Sequence, residues 1–107
     1  MSDTFRRVLE LAQAGEVRIS SHGYDELAAD AIFARDVLAN VPEAVVIEDY
    51  PDYAKGPCML VSQKDRRGEA FHAVWGIPKG KTGPAVVVTA YRPDAERWEP
   101  DFLKRRK

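Results

Sequence analysis

The spacing of apolar residues divides the chain into a helical first part and an extended second part. Apolar residues recur three and four positions apart over residues 3–14, which is the pattern of an amphipathic helix. After a pair of serines that can cap a helix, the same spacing predicts a second helix over residues 21–31. A third, shorter helix is predicted over residues 34–39. The side chains expected to face inward from the last two helices are Tyr24, Leu27, Ala28, Val37 and Leu38.

β-Branched and alternating residues predict an antiparallel meander after residue 44, whereas residues 17–19 read as a short extended link. Strands are expected in the segments AVVIEDY and CMLVSQ, with a loop rich in Pro and Gly between them. Two longer strands follow, EAFHAVWGI and AVVVTAYR, joined by the loop PKGKTGP. This order indicates an α+β fold, with two to three N-terminal helices packed on one face of a small antiparallel sheet. We expect a single domain over residues 1–107.

The two longer strands define an apolar face and a polar face. A sheet with one buried face favours the register that segregates apolar side chains. The residues that this register places on the inner face are Phe71, Trp75, Ile77, Val86, Val88 and Ala90. It leaves His72, Thr89 and Tyr91 on the opposite face, which then carries an imidazole, a hydroxyl and a phenol. We take this outer face as the candidate site.

Composition narrows the function classes. The hydrophobic and charged fractions, 45% and 31%, are those of an ordinary soluble globular protein. No segment approaches the ~18 apolar residues of a membrane span, and the N-terminus lacks a signal-peptide core. The one cysteine, Cys58, has no intramolecular partner and fits a reducing cytoplasm, where we expect the protein to reside.

Charge is distributed unevenly along the chain. Residues 1–53 contain 4 basic and 11 acidic residues, whereas residues 54–107 contain 12 basic and 6 acidic residues. The second half ends in a basic tail over residues 93–107 and could contact phosphate groups. Alternatively, the two halves neutralise each other within the fold, or the tail is only solvated.

The two histidines are the first candidates for catalysis, because an imidazole transfers protons near neutral pH. His72 lies in mid-strand beside Tyr91, with Arg92 at the strand end. An imidazole that moves protons, a phenol that orients and a guanidinium that holds phosphate would suffice for metal-independent cleavage of RNA by its own 2′-hydroxyl. Alternatively, His72 makes one structural hydrogen bond. His22, in the first turn of the second helix, is either a second catalytic group or a surface residue.

Further polar residues are candidates for binding a substrate, since basic side chains in turns would extend a rim around the outer face. The substrate-binding candidates are Glu26, Arg66, Arg67, Lys79, Lys81 and Thr89. No histidine or cysteine pair has the spacing of a metal site, and there is no phosphate-binding glycine loop. We therefore predict neither a metal nor a cofactor.

The segments SSHGYDEL, ARDVLANVPEAVVIEDY, HAVWGI and VVVTAYRPDAERWEPDF together resemble a bacterial family, domain of unknown function 4258 (DUF4258). The resemblance runs from about residue 17 to residue 102. That family is similar to the RelE and BrnT toxins of type II toxin–antitoxin systems, which have helices on one face of a small antiparallel sheet. Their open face cleaves RNA without a metal, and a separate antitoxin covers it.

The resemblance implies a ribonuclease toxin, or a relative of one, with RNA and a cognate antitoxin as partners. His72 and His22 would act as general base and acid, while the other two catalytic candidates, Tyr91 and Arg92, would orient the substrate and stabilise charge at the phosphate. Two other functions stay open. A non-catalytic binding module would contact a protein or a nucleic acid through its basic half. A small-ligand binder would form a pocket on the outer face, and a closed cavity beside His72 would favour it.

Overall fold

The computed structural model describes residues 2–106, so that Met1 and Lys107 lie outside it. The α-helices over this range are α1 (Asp3–Gln13), α2 (Ser21–Ala29) and α3 (Ala34–Ala39), and a 3-10 turn follows at Val41–Glu43. The strands are β1 (Val17–Ile19), β2 (Val45–Tyr50), β3 (Cys58–Lys64), β4 (Ala70–Gly76) and β5 (Ala85–Tyr91). The predicted α+β class is confirmed. No helix in this range is long and apolar enough to cross a membrane.

Serine hydroxyls start the first two helices. The Oγ atom of Ser2 accepts a hydrogen bond from the amide of Phe5 at 3.1 Å, and Ser20 Oγ accepts one from Gly23 at 2.9 Å. α2 ends at Ala29, two residues before the predicted end. Ala31 adopts a φ of 53°, a left-handed conformation that cannot continue the helix.

The five strands form one sheet in the order β1-β5-β4-β3-β2. The pairs β2–β3, β3–β4 and β4–β5 are antiparallel, as predicted. The expectation of a purely antiparallel sheet is wrong at one edge, because β1 pairs with β5 in parallel. The segment interpreted as a link became a strand because its extended backbone runs beside β5, where Ser20 donates its amide hydrogen to the carbonyl of Val87 at 3.0 Å.

A β-bulge corrects the predicted inner face. His72 lies opposite Tyr91 and Val74 lies opposite Thr89, but Trp75 lies opposite Val87, so that Val88 is an extra, unpaired residue in β5. The extra residue reverses the alternation of side chains between the two ends of β5. Val86 and Val88 therefore face outward, contrary to the prediction. The buried side chains of β5 are Ala85, Val87 and Ala90.

The three helices cover one face of the sheet, and the core lies between the two layers. Core residues from both layers are Phe5, Val8, Leu27, Val37, Met59, Val61, Phe71, Ala73 and Trp75. α2 lies so close to β5 that a Cβ at Gly23 would sit 2.8 Å from the Val87 carbonyl oxygen. The buried stripe of α2 is therefore Gly23 and Leu27. The residues predicted to face inward that are exposed instead are Tyr24, Ala28 and Leu38.

The C-terminal segment folds back over the opposite, outer face of the sheet. We call residues 93–106 the tail. Main-chain hydrogen bonds of 2.8 Å run from the amide of Glu99 to the carbonyl of Lys104 and from the amide of Arg106 to the carbonyl of Arg97. Trp98, 3% exposed, packs beneath these turns. The predicted basic tail is thus folded onto the domain over its described length and is not a solvated arm.

Candidate functional site

His72 lies in the middle of β4, on the outer face and beneath the tail. Its Nδ1 atom lies 3.3 Å from the hydroxyl oxygen of Tyr91, and its Nε2 atom lies 2.7 Å from the carbonyl oxygen of Phe102. A carbonyl oxygen can only accept a hydrogen bond, so Nε2 carries a hydrogen. In the neutral imidazole, Nδ1 then accepts from the phenol of Tyr91.

Aromatic rings complete the enclosure of this imidazole. The ring of Trp98 meets the ring of His72 edge-on, with centroids 4.4 Å apart and an interplanar angle of 83°. His72 is 0% exposed. Burial lowers the pKa of His72, and the hydrogen bond to the Phe102 carbonyl offsets part of that effect. The imidazole is therefore held neutral and out of contact with solvent.

An ion pair fastens the tail to the edge strand β2. The guanidinium of Arg105 donates to both carboxylate oxygens of Glu48, at 3.2 and 3.3 Å, and lies 4.7 Å above the ring of Trp98. The hydroxyl of Tyr50 donates to the same carboxylate at 2.9 Å. The hydrogen bonds from Arg105 hold the pKa of Glu48 below its usual value.

An apolar groove runs along the outer face beside the tail. A cavity of about 430 Å³ adjoins one of about 280 Å³ that reaches Tyr91 and Arg105, and both are lined by Tyr53, Cys58 and Val74. We call the two cavities together the outer-face groove. The further apolar residues that line it are Pro57, Leu60, Pro78, Val86 and Val88. Burial raises the pKa of the Cys58 thiol, so this side chain is an apolar lining group near neutral pH.

His22 does not join His72. Its side chain is 66% exposed, and its Nε2 atom lies 3.6 Å from the Glu26 carboxylate one helical turn away. The hydroxyl of Ser20, which caps this helix, donates to the carbonyl of Val88. His72 pairs three residues farther along β5, a distance of about 10 Å at 3.3 Å per residue. α2 also lies on the helical side of the sheet, so the two histidines face different surfaces.

Arg92 is held by internal partners. Its amide donates to Asp30 at 2.7 Å, and its guanidinium donates to the Ala70 carbonyl at 3.2 Å and to Asp65 at 2.9 Å. Burial raises the pKa of Asp65, but hydrogen bonds from the amide of Glu69 and from Arg92 outweigh it and hold that pKa below its usual value. Arg92 therefore fixes the end of β5 to the β3–β4 turn.

The remaining predicted site residues are dispersed. Thr89 lies on the outer face opposite Val74, so the predicted grouping of His72, Thr89 and Tyr91 on one face is confirmed. Arg66 is paired with Asp36 at 3.2 Å, close to the Arg92 cluster. The substrate-binding candidates that are exposed in turns are Arg67, Lys79 and Lys81. No group of three or more metal-ligating side chains is found between residues 2 and 106.

Sequence reasoning missed the groups that enclose His72. These are the ring of Trp98, the carbonyl of Phe102 and the Arg105–Glu48 ion pair. The four-residue spacing of Trp98 and Phe102 was a signal that the tail packs against the domain. Nothing in that spacing shows which face of the sheet the tail would cover.

Comparison with known proteins gives one match. Residues 19–92 match the family model described as domain of unknown function (DUF4258), which is more than half of the chain. No curated protein and no solved structure is detectably similar to the chain. The expected likeness to RelE and BrnT toxins stays a prediction. The match begins in β1 and ends at Arg92, so α1 and the tail lie outside it. The chain belongs to the DUF4258 family.

Proposed function

We propose that this chain is a binding module that holds apolar side chains of a partner protein in the outer-face groove. The observation that supports this most directly is an open apolar groove beside a histidine with no accessible nitrogen. Val88 is 39% exposed and Tyr53 is 54% exposed, so the groove leaves apolar surface without a covering element. Contiguous apolar surface of this kind is typical of interaction sites.

The burial of His72 argues against catalysis with the tail in place. A general base must lie within hydrogen-bonding reach of the proton that it removes. Both ring nitrogens of His72 are already engaged, by Tyr91 and by Phe102. His22 lies on another surface, and Arg92 is bound to Asp65. The four catalytic candidates therefore do not form one accessible constellation.

Charge pairing favours a protein partner over a nucleic acid. Affinity for nucleic acid comes mainly from basic groups that are free to contact phosphates. Arginines of the basic half are paired with carboxylates, as in Arg66–Asp36, Arg92–Asp65 and Arg105–Glu48. Lys55 lines the groove, and its main-chain carbonyl accepts a hydrogen bond from the amide of Lys79. Because these two lysines lie at the groove, a partner segment with apolar residues flanked by acidic residues would fit it.

The test compares two valines on exposed strand positions. Val88 lines the groove, whereas Val45, 49% exposed on β2, lies outside it. Wild type, Val88→Glu and Val45→Glu would each be used as bait in a bacterial lysate, after thermal unfolding shows that all three are folded. We expect a defined protein partner whose recovery falls at least about tenfold with Val88→Glu and is unchanged with Val45→Glu. Equal recovery by both variants, or no specific partner, would contradict the proposal.

A second function, a metal-independent ribonuclease toxin, is favoured by a different observation. The pair formed by His72 and Tyr91 lies within the residues matched by the family model, whereas the tail that covers it lies outside them. With the tail displaced, the imidazole and the phenol would face solvent together. Such a pair could remove a proton from an RNA 2′-hydroxyl and orient the phosphate. RNA and a cognate antitoxin would then be the partners.

Induced expression in a bacterium tests this second function. Growth would be followed for wild type, His72→Ala and His22→Ala, the last as a matched control on another surface. Growth arrest that is relieved only by His72→Ala would support RNA cleavage on the outer face. Normal growth with abundant, folded wild-type protein would contradict it.

A further inference from the structure

We infer that the part of the outer face beneath the tail is a second docking surface, which the tail occupies in cis. It would take, in trans, a protein segment with an aromatic side chain followed by an arginine seven residues later. In this chain those two residues are Trp98 and Arg105. The inference goes beyond the proposed function, because it concerns the covered surface and not the open groove.

The tail is closed largely by its own main-chain hydrogen bonds. It lies outside the residues matched by the family model, which end at Arg92. Its turns are closed by hydrogen bonds within the tail, from Glu99 to Lys104 and from Arg106 to Arg97. Arg92 itself is anchored to Asp65, so the domain is fastened immediately before the tail begins. A segment built in this way can leave the surface without taking a strand with it.

The surface beneath the tail is complementary to it in three respects. The rings of His72 and Trp98 form a T-shaped contact, and the Nε2 atom of His72 donates its hydrogen to the carbonyl of Phe102. The carboxylate of Glu48 faces the guanidinium of Arg105. An aromatic ring, a main-chain carbonyl and a basic group are common to many protein segments. The tail therefore defines the chemistry of a partner that could replace it.

The covered surface is continuous with the outer-face groove. Tyr91 bonds to His72 beneath the tail, and it also lines the smaller cavity of the groove. Arg105 belongs to the tail and forms a wall of the same cavity. Removal of the tail would therefore lengthen the groove as far as His72. A partner segment lying there would extend the binding surface without changing the sheet.

Titration of His72 reports whether the tail is in place. The charged and titratable groups that face this imidazole are Glu48 from β2, Tyr91 from β5 and Arg105 from the tail. Burial beneath the tail lowers the pKa of His72. Displacement of the tail removes that burial, so the pKa should move back towards its ordinary value. His22 is exposed on α2, on another surface of the molecule, so Trp98→Ala should leave its ring signals unchanged in the same NMR spectrum.

The experiment uses the full chain with Trp98→Ala and follows the ring protons of both histidines against pH. We expect His72 to titrate at higher pH than in wild type, and trypsin to cleave within the tail at least about tenfold faster. A synthetic peptide of residues 93–106 is then added. The peptide should restore the wild-type titration, whereas the same peptide with Trp98→Ala should not. Because a tethered segment competes at an effective concentration in the mM range, the peptide is used up to that range.

Two results would overturn the inference. One is an unchanged His72 titration in folded Trp98→Ala protein. The other is a displaced tail that the wild-type peptide cannot replace. If Trp98→Ala does not fold, Arg105→Glu repels Glu48 without opening the core, and Lys104→Glu, at an exposed position of the tail, is the matched control. Peptide binding is expected to be the same in Val88→Glu protein, so failure of this inference and failure of the groove proposal are separate outcomes.

Discussion

Acidification below about pH 6.5 should destabilise the fold through protonation of His72 in the unfolded chain. The imidazole is buried, so its pKa in the folded chain lies below the value near 6.5 of an exposed histidine. Between these two values the unfolded chain binds a proton that the folded chain does not. Stability is therefore fully present above pH 6.5 and is lost as the pH falls towards the folded-state pKa.

The size of the effect follows from one proton. The free energy of unfolding should fall by at most about 1.4 kcal/mol per pH unit within this window. That is a substantial part of the roughly 5–15 kcal/mol by which domains are stable. The carboxylates with lowered pKa values, Glu48 and Asp65, have usual values of 4.5 and 3.8, so their contributions begin to fall only about one pH unit above those values. The interval from about pH 5.5 to 6.5 is therefore dominated by His72.

Urea unfolding at several pH values between 5 and 8 measures this slope. His72→Gln should abolish it, because a glutamine amide can still donate to the carbonyl of Phe102 but does not titrate. His22→Gln, which removes the exposed histidine of α2, should keep the slope. The reasoning is refuted if wild type shows no loss of stability over this interval, or if the slope survives in His72→Gln.

Three further predictions concern the core, one loop and the groove. Gln63→Leu leaves the buried indole N–H of Trp75 and a carbonyl of α3 unpaired, at about 1–3 kcal/mol each, so a loss below about 1 kcal/mol in urea unfolding would contradict it. Gly56→Ala should lower Tm more than Gly80→Ala. Both positions have positive φ, but only at Gly56 would a Cβ collide with a neighbouring main chain. Equal Tm values for the two variants would count against this. Cys58 should react with iodoacetamide at pH 7.5 more slowly than free cysteine does, because burial raises the pKa of its thiol; an equal rate would contradict this. Because Cys58 lines the groove, its alkylation should also prevent capture of the groove's partner.

Local signals were sufficient to place the helices. The apolar spacing of residues 3–14 and the serine before residue 21 correspond to α1 and to the start of α2, and the predicted third helix has the bounds of α3. The orientation of the short helices was not predictable, because it depends on how closely each approaches the sheet. Gly23 allows α2 to contact β5, and that approach turns Tyr24 towards solvent.

Alternation of apolar and polar residues predicted the buried face of one central strand but not that of its neighbour. Alternation identified the buried residues of β4, because that strand is regular between Phe71 and Trp75. It failed in β5, where the bulge at Val88 changes which side chains face the core. A run of four apolar residues is compatible with either phase, so only pairing with the neighbouring strand decides between them. The parallel edge formed by β1 likewise depends on a contact between distant parts of the chain.

The candidate site combines a predictable part with an unpredictable one. Hairpin register alone brings His72 and Tyr91 together, and the sequence was sufficient for that pairing. Whether the pair faces solvent is decided by the tail, which is remote in sequence from β4. The carbonyl of Phe102 fixes the imidazole tautomer, yet a main-chain carbonyl has no sequence signature.

Part of the uneven charge of the chain is paired within the fold. Ion pairs join the acidic first half to the basic second half at Asp36–Arg66 and at Glu48–Arg105. Both pairs bring a residue remote in sequence onto an element of the first half. Because these arginines already face carboxylates, the basic half offers less free positive charge than its composition suggests. The second pair also holds the tail over His72, so the same charge that suggested phosphate binding keeps the predicted catalytic face closed.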